Sequence, residues 1–404
     1  MSDEKPTDET GASVKATGGA DGTPPSATEG ASAPPVQVPE PLVRPHVEPR
    51  EPPASATPAA KRSDQARSPV VRFFSGLFTL ALLLVMGVGA LFYFGREEFV
   101  APGPLAQDAI VVIPSGSGVE GIASTLQGRG VISNSWLFIA AAQLSGDSAR
   151  LKAGEFAFRA GASMRSVMAT IISGQVVQHT LTIPEGLSSA QIVQRLNEDP
   201  VLVGSLTTIP PEGSLLPETY LFVRGTTRAQ MVDRMQKAMT RALDEAWAAR
   251  DPALPIRDKR ELLVLASVVE KETGVAGERP RVAAVFVNRL RKGMRLQSDP
   301  TILYGLYGGS AWTQDRSAIQ RSEIDRPNPY NTYQIAGLPP GPIANPGEDA
   351  LIAVARPAVT AELFFVADGS GGHVFAVTLD EHQRNVARWR AIEQQRRAGQ
   401  GAGQ

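Results

Sequence analysis

The sequence predicts an α+β protein with a single N-terminal transmembrane helix, a small module of alternating strands and helices, and a larger mixed domain of helices and strands. Three observations carry that prediction: an uncharged apolar run near residue 80, a thrice-repeated strand–turn–helix pattern after residue 105, and a change to long helical periods beyond residue 216. A proline-rich segment precedes all three. Twelve of the 32 prolines fall in the first 60 residues, which hold no Phe, Tyr or Trp. Such a stretch buries too little surface to offset its ordering entropy, so residues 1–66 are expected to be disordered and cytoplasmic.

Residues 73–94 read FFSGLFTLALLLVMGVGALFYF, 22 residues without a charge. At about 1.5 Å per residue they cover a hydrocarbon core of about 30 Å. Lys61, Arg62, Arg67 and Arg72 precede the run and Arg96, Glu97 and Glu98 follow it, so the basic flank places the N-terminus in the cytoplasm. A cleaved signal peptide fits less well, because the run is too long and starts too far into the chain. The anchor is assigned to residues 67–97, with the rest of the chain outside the cytoplasm.

The repeat is exposed by apolar residues at fixed offsets from a glycine turn. Ile113-Pro-Ser-Gly116 is followed by Ile122 and Leu126, Phe158-Arg-Ala-Gly161 by Val167 and Ile171, and Ile183-Pro-Glu-Gly186 by Ile192 and Leu196. Each turn follows a short apolar run, so the unit is a strand, a Gly turn and a helix burying the residues at offsets 9 and 13. Nothing in the module gathers titratable groups, which favours a structural or binding duty over catalysis. Its expected span is 105–215.

Beyond it, residues 227–250 form a long helical pattern with Met231, Met235, Met239 and Leu243 at four-residue steps, a stripe that belongs in a core. A second helix begins near Glu261. The second domain is placed at 216–392, with a flexible tail at 393–404.

Composition excludes several classes of function. Forty Lys and Arg against 41 Asp and Glu give a net charge of −1, which argues against nucleic acid as a partner. The chain has no cysteine, hence no thiol nucleophile and no cysteine-ligated metal. Its four histidines, His46, His179, His373 and His382, show no helical metal-binding spacing, so neither metal nor other cofactor is expected.

One helix is marked out for chemistry. On a wheel at about 100° per residue, with Glu261 at the origin, Glu272 lies near the same face while Glu270 points the opposite way, beside Leu263 and Ala266. A single carboxylate among apolar neighbours is desolvated, which raises its pKa as a general acid near neutral pH requires. The alternatives are a salt bridge to Arg289 or Arg295, or an exposed place at the helix end. Lys271 and Glu272 are read as surface residues or local supports. Asp299 followed by Pro300 suits a helix start, whereas Gln297 and Ser298 are free to bind hydroxyl groups. The turn-dense stretches 328–333 and 337–347 combine amides, aromatic rings and prolines, as a rigid sugar-binding cleft wall does. Thr378 and Glu381 form a capping box for a terminal helix, giving His382 a structural place. His373 sits on the predicted strand HVFAV.

These stretches resemble a known family. ASVVEKET (266–273), VNRLRKGMRLQSDPT (287–301), NPYNTY (328–333), GLPPGPIANPG (337–347) and GGHVFAVTLDEH (371–382) occur in the order found in the endolytic murein transglycosylases of the YceG-like family, and the IPEG turn at Ile183 and LLPETYLF from Leu215 match as well. The resemblance covers about residues 105–390. It implies a single-pass inner-membrane protein with a periplasmic LysM-like subdomain and a catalytic domain that cuts peptidoglycan glycan strands internally, between N-acetylmuramic acid and N-acetylglucosamine. The first acid of EKET, here Glu270, would be catalytic and would yield 1,6-anhydro ends. For such a reaction Gln297, Asn331 and Tyr333 are the candidates for binding and orienting the sugar or stabilising the oxocarbenium-like charge. Peptidoglycan synthases or division proteins are further partners that the resemblance implies and no motif encodes. Two readings compete: a hydrolase in which Asp299 or Glu323 activates water, and a tether that binds peptidoglycan without cleaving it.

Overall fold

The computed structural model describes residues 69–309 and 319–401. The segment 1–66 and the basic residues Lys61, Arg62 and Arg67 lie outside the described residues.

The chain mixes helices with short antiparallel strand pairs. Helix α1 (Pro69–Val100) is 32 residues long and long and apolar enough to cross a membrane; none of its residues is buried against the rest of the protein. Strand β1 (Ala109–Ile113), helices α2 (Val119–Gly128) and α3 (Ser135–Leu144), strand β2 (Gly154–Phe158) and helix α4 (Met164–Ser173) follow. Next come β3 (Gln178–Thr182), α5 (Ser189–Glu198), β4 (Thr219–Val223) and α6 (Arg228–Ala248). The remainder consists of α7 (Lys259–Glu272), α8 (Arg279–Arg291), α9 (Asp299–Tyr307), α10 (Arg321–Asp325), α11 (Glu348–Ala355), β5 (Phe364–Ala367), β6 (His373–Ala376) and α12 (Leu379–Gly401).

The three strand–turn–helix units form as the offsets predict. Gly116, Gly161 and Gly186 sit at φ 82°, 66° and 73°, the left-handed region that a side chain resists. Ile122 and Leu126, Val167 and Ile171, and Ile192 and Leu196 are all buried. The units do not share one core, however. β1 pairs with β2, and their helices close a core around Phe138 and Phe156. β3 pairs instead with β4, across the expected boundary at 216, and its core includes Tyr220, Phe222, Met231 and Met235 of the following segment. Capping boxes at Ser188–Gln191 and Thr227–Gln230 start α5 and α6.

A third core contains the C-terminal half of α6 with α7, α8 and α11. Asp258 caps α7, accepting from the Glu261 N–H at 2.8 Å. Leu262 and every residue from Val264 to Glu270 are buried, so the middle of α7 is enclosed, the helix packing against α6, α8, α9 and α11. Each fully buried Leu or Val of this helix contributes about 1.5–3 kcal/mol of transfer free energy. At the C-terminus α12 stays helical to Gly401, through most of the stretch expected as a flexible tail.

Candidate functional site

Glu270 lies in the last turn of α7 with its side chain 4% exposed. One carboxylate oxygen, Oε2, accepts the Gly347 N–H at 3.0 Å, where Gly347 caps the N-terminus of α11. Oε1 accepts from Nη2 of Arg279 at 3.2 Å. The arginine partner is thus neither Arg289 nor Arg295 but the first residue of α8, which the wheel could not point to. Arg279 is itself buried and divides its charge among three carboxylates: Glu185 at 2.5 Å, Glu270 at 3.2 Å and Asp349 at 3.3 Å. Burial pushes the Glu270 carboxyl above its ordinary value; the Gly347 N–H and Arg279 pull it down, and the neighbouring Glu185 charge pushes it further up, with a net rise.

Glu185 reaches this place through the turn of the third strand–helix unit. The Gly186 N–H donates to the Asn345 carbonyl at 3.0 Å, and the Asn345 N–H returns a bond to Leu187 at 2.9 Å. Lys271 Nζ donates to the Gly186 carbonyl at 3.1 Å, and a Cβ on Gly186 would lie 3.6 Å from Glu270 Cγ. The IPEG turn, the EKET end of α7 and the IANPG loop therefore meet around one carboxyl group. Glu185 and Arg279 were not marked out by sequence. A signal for Glu185 did exist: the residue before the turn glycine is Ser115 in the first unit and Ala160 in the second, and only the third unit has an acid there.

Glu272 points into a different environment. It accepts a hydrogen bond from Ser298 Oγ, and burial, reinforced by the nearby Asp299 charge, pushes its carboxyl up to about 7. It is half-buried and engaged with Ser298, a local support. Ser298 is 1% exposed and committed to it, so this serine is not available to bind a hydroxyl. Around Glu272 the structure gathers the three residues expected to touch sugar. Gln297 is exposed, and its side-chain oxygen accepts from Arg289 Nη1 at 3.3 Å. Its φ of 53° makes it the one non-glycine in the left-handed region among the described residues. The Tyr333 hydroxyl donates to Asp299 Oδ1 at 2.6 Å, so Asp299 serves this tyrosine rather than capping α9, whose cap position falls to Ser298. Asn331 is fully buried: its amide donates to the Ile324 carbonyl at 2.8 Å and its oxygen accepts the Tyr333 N–H at 3.0 Å. It holds the 328–333 loop from behind.

The proline-rich loop serves two places. Its Gly337–Pro340 end lines a cavity of about 420 Å³ with Arg260 and Glu261 at the start of α7, and its Asn345–Gly347 end abuts Glu270. Asp299 and Glu323 are engaged away from Glu270, with Tyr333 and with Tyr307 respectively. His373 pairs in the β5–β6 sheet and holds Glu278 at 2.8 Å; of the expected capping box one bond forms, Glu381 N–H on Thr378 Oγ1, while the Glu381 carboxylate accepts the Val377 N–H instead of that of Thr378. Among the described residues no group of three or more His, Asp or Glu could hold a metal ion.

A helix-borne carboxyl raised by burial above its ordinary value and enclosed by a turn, a loop and a shared arginine has the form of a general acid/base site. Residues 111–388 match the YceG-like family, and the chain belongs to that family. It is 30% identical over 333 residues to the protein named endolytic murein transglycosylase of Bacillus subtilis, covering 74% of this chain and 89% of that one. To the protein of the same name from Streptococcus pneumoniae it is 31% identical over 360 residues, 76% of this chain and 64% of that one. A solved YceG-like protein from Listeria monocytogenes aligns at 29% identity, over 69% of this chain and 98% of its own, with a TM-score of 0.42.

Proposed function

We propose that the protein is a membrane-anchored lytic transglycosylase that cuts peptidoglycan strands internally at the bond between N-acetylmuramic acid and N-acetylglucosamine, with Glu270 as its one acid/base. The observation that carries this reading is the protonatable, enclosed Glu270 carboxyl at the meeting point of three separate motifs.

The chemistry needs only one carboxyl group. Protonated Glu270 donates to the glycosidic oxygen as the bond to the muramic anomeric carbon breaks. The resulting carboxylate then takes the proton of the same sugar's C6 hydroxyl, whose oxygen closes onto that carbon. The products are a 1,6-anhydro end and a free hydroxyl on the departing sugar; no water is consumed and Glu270 returns to its protonated form. Ordinary glycosidases need a second carboxylate for the step that the substrate's own hydroxyl performs here. Arg279 stands close enough to favour the ionised form, and a private arginine would make Glu270 a poor donor. Its shorter contact with Glu185 leaves Glu270 only part of that charge, so desolvation still decides the direction.

Gln297 and Tyr333 are assigned to the sugar directly, and Asn331 through the loop it fixes. Residues 105–215 are assigned as a LysM-like glycan-binding subdomain and 216–392 as the catalytic domain. The basic residues before the apolar run support a cytoplasmic N-terminus and a periplasmic catalytic part, and release of strands during synthesis would bring peptidoglycan synthases within reach.

Mass analysis of the fragments released from purified sacculi tests the reading. Wild type is expected to yield anhydro ends and Glu270→Gln none. Reducing ends, heavier by one water, would identify a hydrolase, and binding without release would identify a tether.

A further inference from the structure

Helix α1, the candidate membrane span, has a neighbour near its C-terminal end. Helix α1 runs on to Val100, and near its outer end it meets α3: a Cβ added to Gly95 would lie 3.5 Å from Leu137 Cδ1. Between the two helices lies an apolar groove of about 580 Å³. Its α1 wall includes Val88, Leu91 and Phe92; its α3 wall includes Trp136, Ala140 and Leu144. These three residues of α3 recur at four-residue steps and so share one face. That face is open, with Trp136 64% and Leu144 82% exposed, while Phe138 and Ala142 of the same helix are fully buried in the core of the first two units. The ten residues of α3 carry no charge. An uncharged helix with one face in a core and the other bare is a mark of an interface.

The occupant follows from where the groove lies. Val88 is six residues inside the outer end of the apolar run at Phe94, about 9 Å at the helical rise. Material filling a space walled by Val88, Leu91 and Phe92 must therefore be apolar and available at hydrocarbon depth. Acyl chains of the adjoining leaflet meet both conditions. Arg96, at the groove's edge one residue past Gly95, is placed to extend to the headgroups, and Trp136 has the amphipathic ring that favours the membrane interface.

We infer that α3 is a second membrane contact: it lies against the bilayer with Trp136, Ala140 and Leu144 set among the acyl chains beside α1, and so fixes the height and tilt of the folded part above the membrane. At ten residues it is too short to span. The inference rests on the reading of α1 as the anchor.

The chain has no cysteine, so single labels report unambiguously. Full-length Leu144→Cys, carrying an environment-sensitive fluorophore and reconstituted in phosphatidylcholine nanodiscs, is compared with Leu83→Cys at the middle of α1 and with Lys237→Cys on the exposed side of α6. Nitroxide lipids labelled near the glycerol are expected to remove about half of the Leu144→Cys emission, and chain-end nitroxides the same share at Leu83→Cys, with Lys237→Cys unaffected. Aqueous iodide should quench only Lys237→Cys. If Leu83→Cys responds to lipid and Leu144→Cys behaves like Lys237→Cys, the contact by α3 is overturned while the anchor stands. If neither responds to lipid, the anchor is lost and the inference with it.

Discussion

Glu270 and Glu272 stand two residues apart on one helix, and the fold treats them in opposite ways. About 200° of helical rotation sends Glu270 to the meeting point of the IPEG turn and the IANPG loop, and Glu272 to Ser298 and Asp299 beneath the 328–333 loop. Both carboxyls are desolvated and both are raised. The difference lies in their partners. Glu272 has a neutral hydroxyl donor, an acidic neighbour in Asp299 and the charge of Arg289 acting through space; Glu270 has a backbone N–H and a direct hydrogen bond from an arginine held between three acids. A raised pKa alone therefore does not single out the catalytic group. What distinguishes Glu270, and what our assignment of it rests on, is the architecture around it, assembled from three distant stretches of chain.

Exchanging each acid for its amide tests that distinction most strongly. Glu270→Gln is expected to lower the rate of glycan cleavage by about 10²–10⁴-fold, the usual worth of a positioned acid/base. Glu272→Gln should stay within about tenfold of wild type, since it can act on the reaction only through Ser298 and the loop. Release of anhydro fragments, measured for both variants beside their circular-dichroism melting curves, checks this. The reverse ranking, with both variants folded, would transfer the catalytic role to Glu272.

The second test is thermodynamic and turns on the sign of linkage. A carboxyl whose folded value exceeds its unfolded one adds stability that is complete below the unfolded value and is lost as pH rises through the folded value. For Glu272 the window runs from about 4.5 to about 7, and at 1.36 kcal/mol per unit the loss is on the order of 3 kcal/mol. Glu272→Gln removes it. Relative to wild type, the variant should gain stability steadily between pH 4.5 and 7 and hold that gain above. Urea midpoints at pH 5 and pH 8 measure the difference; equal gains at both would mean that Glu272 is not held protonated.

Glu185→Gln is expected to have a smaller effect. Without that carboxylate Arg279 is divided between Glu270 and Asp349, and the like charge that raises Glu270 disappears. Both changes favour ionised Glu270, so the alkaline limb of the pH–rate profile should move to lower pH, with a fall of up to about tenfold in rate at pH 7. A rate that falls uniformly at every pH would assign Glu185 to the packing of the turn instead.

Much of this arrangement is legible in the sequence, for identifiable reasons. The strand–turn–helix units are local: a glycine that must turn and apolar residues at fixed offsets fix each without reference to the rest of the chain. The direction of Glu270 is likewise a property of one helix. What joins the units is not local. The pairing of β3 with β4 depends on the segment after residue 216, and the arginine that Glu270 shares lies nine residues away while its other acids lie 94 and 70 residues from it. The partial burial of Glu272 escaped the wheel because a wheel separates faces, and α7 has neighbours on both.

The backbone of Gln297 escaped for a simpler reason: nothing in a glutamine announces φ 53°. That strain supplies the smallest test. A left-handed non-glycine residue costs about 1–2 kcal/mol in the folded chain, and Gln297→Gly relieves it, at a cost of about 0.5–1 kcal/mol in unfolded-state entropy and one long contact with Arg289. Stability should therefore change by less than about 1 kcal/mol. If the strain is tolerated because it aims the Gln297 amide at the glycan, KM should rise with kcat nearly unchanged, the mark of lost uniform binding. A variant with wild-type KM and improved stability would show that the strained residue serves the loop and not the sugar, leaving Tyr333 as the side chain on that side of α7 assigned to touch substrate.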